Sequence, residues 1–104
     1  MNYKYAIGQK IMGRHIWYGS ITFIAGEIVE QFEGIGRSYV IKLEPGIKIP
    51  EGFRDDGLFP IAERDAVPFN AEKWSKIKLL ADRRNEHIDA AELIYKQIVE
   101  ILYT

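Results

Sequence analysis

The chain has 104 residues, of which 47% are hydrophobic and 28% charged, with a formal net charge of −1. That is room for one compact domain with a core and rules out a disordered composition. It gives no global attraction to nucleic acid or anionic lipid, and the absence of cysteine excludes disulfides and thiolate catalysis and suits a reducing compartment.

Further classes drop out on pattern. No apolar run reaches the length that spans a membrane. Residues 1–5, Met-Asn-Tyr-Lys-Tyr, lack the apolar core of a signal peptide. A cytoplasmic protein with no membrane association is expected. Residues 1–8 are expected to form a lead-in that covers one end of the fold. Gln9–Met12 reads as a first strand ending at Gly13. Arg14 to Ser20 then reads as a loop holding Arg14, His15, Trp17 and Tyr18 within five residues. Such a loop is a candidate contact surface. The competing reading has Ile16 and Trp17 plugging the end of the sheet.

The stretch Ile21–Glu44 reads as a β-hairpin. Ile24, Gly26, Ile28 and Phe32 share one parity, and so do Tyr39, Ile41 and Leu43 in the second strand. A period of two places each set on one face. Glu27, Gln31, Lys42 and Glu44 fall on the other parity, which predicts a largely wet face. Gly34 and Gly36 supply the turn. Gly26 signals a bend or a close backbone approach.

Pro45 and Gly46 end the second strand, and residues 46–57 read as a long loop, with a short edge strand within 46–50 as an alternative. Phe53 and Arg54 stand out there as contact candidates. Its acids, Glu51, Asp55 and Asp56, lack the ligand spacing of a calcium loop. Leu58–Ile61 reads as a fourth strand, with Pro60 arguing for an edge. Residues 62–67 read as a helical turn and a last short strand.

Four stretches together resemble the SH3-like small barrels, including the KOW and Tudor-like kinds. They are Gly8-Gln9-Lys10-Ile11, Ile24-Ala25-Gly26-Glu27-Ile28-Val29, Tyr39-Val40-Ile41-Lys42-Leu43, and Gly57 through Asp65. The resemblance spans residues 7–67. It implies an antiparallel β-barrel, and it carries no particular function, because that superfold hosts many.

Asn70 reads as an N-cap. From Ala71 to Thr104 there is neither Gly nor Pro. Trp74, Ile77, Leu80, Ala81, Ile88, Ala91, Ile94, Tyr95, Ile98, Ile101 and Leu102 recur at helical spacing. The predicted fold is therefore α+β, an SH3-like barrel over 1–69 and a long C-terminal helix over 70–104. An unbroken helix would run on the order of 50 Å, longer than the barrel. Either it breaks near residues 82–86 or part of it projects. Residues 71–84 hold five bases against two acids, and residues 85–104 hold four acids against one base. That order opposes the helix macrodipole. Two copies packed antiparallel would match charge to charge. A homodimer is expected, through Ile88, Ala91, Ile94, Tyr95, Ile98 and Leu102. The competing reading packs one helix on its own barrel.

No motif points to an enzyme, a metal or a cofactor. His15 and His87 are too few and too distant in sequence for a zinc site. A Ser-His-Asp set could be composed but has no nucleophile-elbow motif. The expected function is a non-enzymatic protein-binding module. Its contacts would be Arg14, His15, Trp17, Tyr18, Phe32, Arg37, Phe53 and Arg54. The alternative is a nucleotide or nucleic-acid binder, with Tyr3, Tyr5, Trp17, Tyr18, Phe32 and Tyr39 as stacking platforms and Arg14, Arg37 and Arg54 for phosphates. Against it, residues 1–69 count eight bases and nine acids.

Overall fold

A computed structural model describes residues 2–17, 19–34, 36–47 and 56–104, without the side chains of Trp17 and Ile88. The chain divides into two compact units, Met1–Phe69 and Asn70–Thr104. Its class is α+β, a five-stranded antiparallel sheet followed by two helices.

The strands are β1 (Lys10–Trp17), β2 (Ser20–Gly34), β3 (Gly36–Leu43), β4 (Leu58–Ala62) and β5 (Ala66–Pro68). Their order in the sheet is β4-β3-β2-β1-β5. A single 3-10 turn, Glu63–Asp65, links β4 to β5. The sheet is not closed into the expected barrel. Its edges, β4 and β5, form no ladder with one another among the described residues. β5 is only three residues long and pairs with Ile11–Gly13 of β1, so it cannot carry the ladder around. Pro60 lies on edge strand β4, opposite Val40, where a missing N–H does least harm.

One face carries the core. Tyr5, Ile11, Ile24, Ile28, Tyr39, Ile41, Phe59, Ile61 and Ala66 are buried together, with Tyr3, Leu43 and Ile47 packed at the margin. The hairpin parity holds as far as Ile28, which pairs with Ile41. It then breaks. The next pairs are Glu30 with Val40 and Gln31 with Tyr39, so Val29 is an extra residue in β2. One inserted residue moves every later side chain to the opposite face. Phe32 therefore leaves the Tyr39 face and sits opposite Ser38, while Gln31 joins that face. The reverse side is not wet throughout either. Met12, Phe23 and Ala25 are buried, and only from Glu27 onward does β2 show exposed positions on it.

The first strand runs four residues beyond its expected end. Gly13 is an internal position, paired with both Ile24 and Ala66. A Cβ there would lie 2.1 Å from the Asp65 carbonyl oxygen and 2.8 Å from Cδ1 of Ile61. Glycine admits the backbone of the 3-10 turn instead of stopping the strand. Arg14, His15, Ile16 and Trp17 are therefore strand residues, paired with Phe23, Thr22, Ile21 and Ser20. The expected 14–20 loop shrinks to the connection between Trp17 and Ser20.

The single long helix is also corrected. It is two helices, α1 (Ala71–Glu86) and α2 (Ala91–Tyr103), joined through a 3-10 turn at Ile88–Ala90. Asn70 caps α1 by accepting from the Lys73 N–H at 3.0 Å. The helical φ/ψ ends at His87 (φ −121, ψ 83), just past the anticipated stretch. Asn85, His87 and Asp89 are weak helix formers clustered at the break. α1 and α2 pack against each other. Arg84 sits over the Tyr95 ring, 5.6 Å from its centroid. Leu80 lines a hollow together with Gln97, Ile101 and Thr104. That order of contacts is antiparallel.

Candidate contact surface

The 3-10 turn between β4 and β5 holds two arginines of the sheet by its acids. Its Asp65, buried, receives Nε of Arg14 from β1 at 3.1 Å, with Nε of its neighbour Arg64 at 3.9 Å. Its Glu63 receives the hydroxyl of Tyr39 from β3 at 2.6 Å and the Lys4 N–H at 2.9 Å. Nε of Arg37, also from β3, lies 3.6 Å from the same carboxylate. Two acids two residues apart thus clasp one arginine from β1 and one from β3. The Lys4 N–H, the Tyr39 hydroxyl and Arg37 hold the Glu63 carboxyl below its ordinary value of 4.5. Burial, and the hydrogen bond to Glu63, push the Tyr39 hydroxyl up to about 12.

Around Tyr39 the lead-in residues are sewn onto the sheet. The Tyr39 hydroxyl accepts from the Tyr5 N–H at 3.0 Å, and Nε2 of Gln31 donates to the Tyr5 carbonyl at 2.8 Å. The Tyr5 hydroxyl donates to the Ala66 carbonyl at 3.3 Å. The rings of Tyr3 and Tyr5 tilt against Tyr39 with centroids 5.8 and 5.9 Å away.

His15 is a structural residue. It is 8% exposed, and its Nδ1 meets the Pro60 carbonyl at 2.8 Å. Its ring stands edge-on to Phe59 at 5.2 Å. It links β1 to β4 across the open side of the sheet, where no ladder does. Burial lowers its pKa below the ordinary 6.5, opposed in part by the Pro60 carbonyl. At the end of the β1–β2 hairpin, Ile16 is 50% exposed and pairs with half-buried Ile21.

Of the eight contact candidates, four lie wholly within the described residues. Arg14 and Arg37 come together only through the acidic turn. His15 is buried. Phe32 is half-buried on the opposite face from Tyr39, with its ring close to Gly34. Trp17 is placed by its backbone alone, at the end of β1. Tyr18, Phe53, Arg54 and the possible strand at 46–50 lie outside the described residues, apart from residues 46 and 47. Among the dimer candidates, Ile94, Ile98 and Leu102 are buried. Ala91 and Tyr95 are half-buried, and the Ile88 side chain is not described. Among the described side chains of the helical unit, the exposed large apolar ones are Leu79 and Leu93, at 68% and 63%. The hollow beside Leu80 and Ile101 has a volume of about 440 Å³ and a polar rim of Gln97, Glu100 and Thr104.

Sequence reasoning missed that Tyr3, Tyr5, Gln31, Tyr39 and Glu63 form one network, and that Asp65 holds Arg14. The sequence places Glu63 and Asp65 in a helical turn and assigns them no partner. Among the described residues, no group of three or more His, Cys, Asp or Glu is placed to hold a metal ion. No described helix is long and apolar enough to cross a membrane. Comparisons with protein-family models, curated proteins and solved structures each return no match.

Proposed function

We propose that this chain is a small non-enzymatic interaction protein of the cytoplasm. The sheet unit is its SH3-like scaffold, and the apolar end of the β1–β2 hairpin is its contact surface for a protein partner. The scaffold reading is supported by the strand order, by the 3-10 turn before the last strand, and by the His15–Pro60 link across the open side. The single observation that carries the contact surface is Ile16. It is a half-exposed isoleucine beside Ile21, at the end of β1 that β5 does not cover.

The nucleotide or nucleic-acid reading fares worse on the same geometry. Arg14 and Arg37 each lie against a carboxylate, so a phosphate would have to displace Asp65 or Glu63. Self-association through the helical stripe is also weakened. One chain already buries Ile94, Ile98 and Leu102, so a second copy would have to meet Leu79 and Leu93.

The test is a comparison of proteins captured by the wild-type chain and by Ile16→Asp, quantified by mass spectrometry. The reading expects one or more direct partners to fall at least about tenfold with Ile16→Asp, about 1.4 kcal/mol of binding, while the circular dichroism spectrum is unchanged. Equal capture by both chains would remove Ile16 from any contact.

A further inference from the structure

Residues 2–5 occupy no ladder position. Side chains from β2, β3 and the 3-10 turn read their backbone instead. Arg37 donates through Nη1 to the Asn2 carbonyl. Glu63 accepts from the Lys4 N–H, and Tyr39 from the Tyr5 N–H. Gln31 donates to the Tyr5 carbonyl. Tyr3 and Tyr5, two residues apart, both lean on the Tyr39 ring. A groove that binds an extended peptide works this way, with backbone bonds for affinity and alternate side chains for specificity.

The segment reaches the sheet through exposed Ala6, Ile7 and Gly8. The turn is closed by the Gln9 N–H on the Ala6 carbonyl at 3.0 Å, and the Gly8 N–H bonds the Ile28 carbonyl at 2.8 Å. Gly8 has φ +94, yet a Cβ there would meet nothing within 4 Å. Its conformation demands glycine; its surroundings do not.

We propose that the groove of Gln31, Arg37, Tyr39 and Glu63 is a docking site for the 2–5 segment of a second copy of this chain, exchanged reciprocally for its own. The occupant is argued from the one already seated. A second copy brings the same tyrosines and the same backbone groups, so every contact in the groove is reproduced between chains. Only the turn at Gly8 and the concentration differ. A short tether holds the chain's own segment at an effective concentration on the order of millimolar, so the closed monomer dominates in dilute solution. A hinge that resists the turn removes that advantage and leaves the groove untouched. This route to self-association is independent of the Ile16 surface and of the helical unit.

The experiment is sedimentation equilibrium of the full chain carrying Gly8→Ala, beside wild type. An L-residue at this φ is strained, which opens the turn. The dimer dissociation constant is expected to fall at least about tenfold. Deuterium exchange should show the Lys4 and Tyr5 amides protected within that dimer. Isotope-filtered nuclear Overhauser spectra of a mixed labelled and unlabelled dimer should place Tyr3 of one copy against Tyr39 of the other. A folded Gly8→Ala chain that stays monomeric at about millimolar concentration overturns the proposal. So does a dimer without that contact between copies, which is built elsewhere. Should Gly8→Ala fail to fold, wild type and an isotope-labelled copy are mixed near millimolar concentration, warmed and cooled. Mixed dimers with the Tyr3–Tyr39 contact between copies then support the exchange, and their absence ends it.

Discussion

Gly13 shows how a single residue decides the fate of a predicted site. Read as a strand terminator, it turns the next four residues into a binding loop. Its structural role is the reverse, because it lets the strand continue beneath the Asp65 carbonyl. Gly13→Ala would push a methyl group against backbone, which cannot swing aside as a side chain can. We expect a loss of about 1–3 kcal/mol or more, measured by urea unfolding. Three ionisable residues with shifted pKa values, His15, Glu63 and Tyr39, make the stability of the sheet unit depend on pH. His15 has its pKa lowered by burial, so its contribution is full above about pH 6.5 and is lost as pH falls through the lower folded value. Glu63 is also held low, and its contribution declines below about pH 4.5. Tyr39 is raised to about 12 from 10.0. Its contribution is present below pH 10 and is lost as pH rises toward 12. Thermal midpoints across this range should therefore fall at both ends. His15→Asn should remove the step that begins near pH 6.5, and Tyr39→Phe the alkaline one. A profile unchanged by both substitutions would contradict these assignments.

At the scale of the element, the charge order of residues 71–104 finds its explanation in the break at His87. In one continuous helix the bases come early and the acids late, which the macrodipole disfavours. Split in two, the same residues are well placed. Arg83 and Arg84 stand in the last turn of α1, and Glu92 stands in the first turn of α2 with Asp89 just before it. The chain's own second helix packs antiparallel to the first and so offers one partner of the kind the pattern asks for. Asp89→Lys and Glu92→Lys should each destabilise the chain by about 0.3–1 kcal/mol at low salt, read by thermal unfolding. In an unbroken helix the same changes would be neutral or favourable, so the sign of the effect decides. Asn70→Ala should cost about 1 kcal/mol through the lost cap.

At the scale of the whole molecule, the signals legible in sequence were those carried by local chemistry. The hairpin glycines, the edge proline, the 3-10 turn before a short strand and the Asn70 cap all depend on neighbours a few residues away. One feature was legible in part, and two were not, for physical reasons. The helix break is one of two alternatives the length of the segment offers, and its place at His87 follows from clustered weak propensities and from charges that favour two short helices over one long one. The bulge at Val29 carries no Gly or Pro to mark it, and it alone moves Phe32 to the other face. The acidic clasp joins Arg14 to Asp65 and Arg37 to Glu63 across 51 and 26 intervening sequence steps, and no local pattern reports such distant pairs. It changes the reading of the arginines most, from free contact residues to parts of the fold.

That change is the centre of the account, and nucleic-acid binding tests it most directly. The measurement is fluorescence anisotropy of a labelled single-stranded oligonucleotide titrated with the full chain at 50 and 200 mM salt, roughly the range over which phosphate contacts lose most of their strength. With Arg14 and Arg37 held by carboxylates, the account predicts no saturation at micromolar protein at either salt. Micromolar binding that weakens steeply between the two salts, and that is lost in Arg14→Ala or Arg37→Ala chains that remain folded, would contradict it.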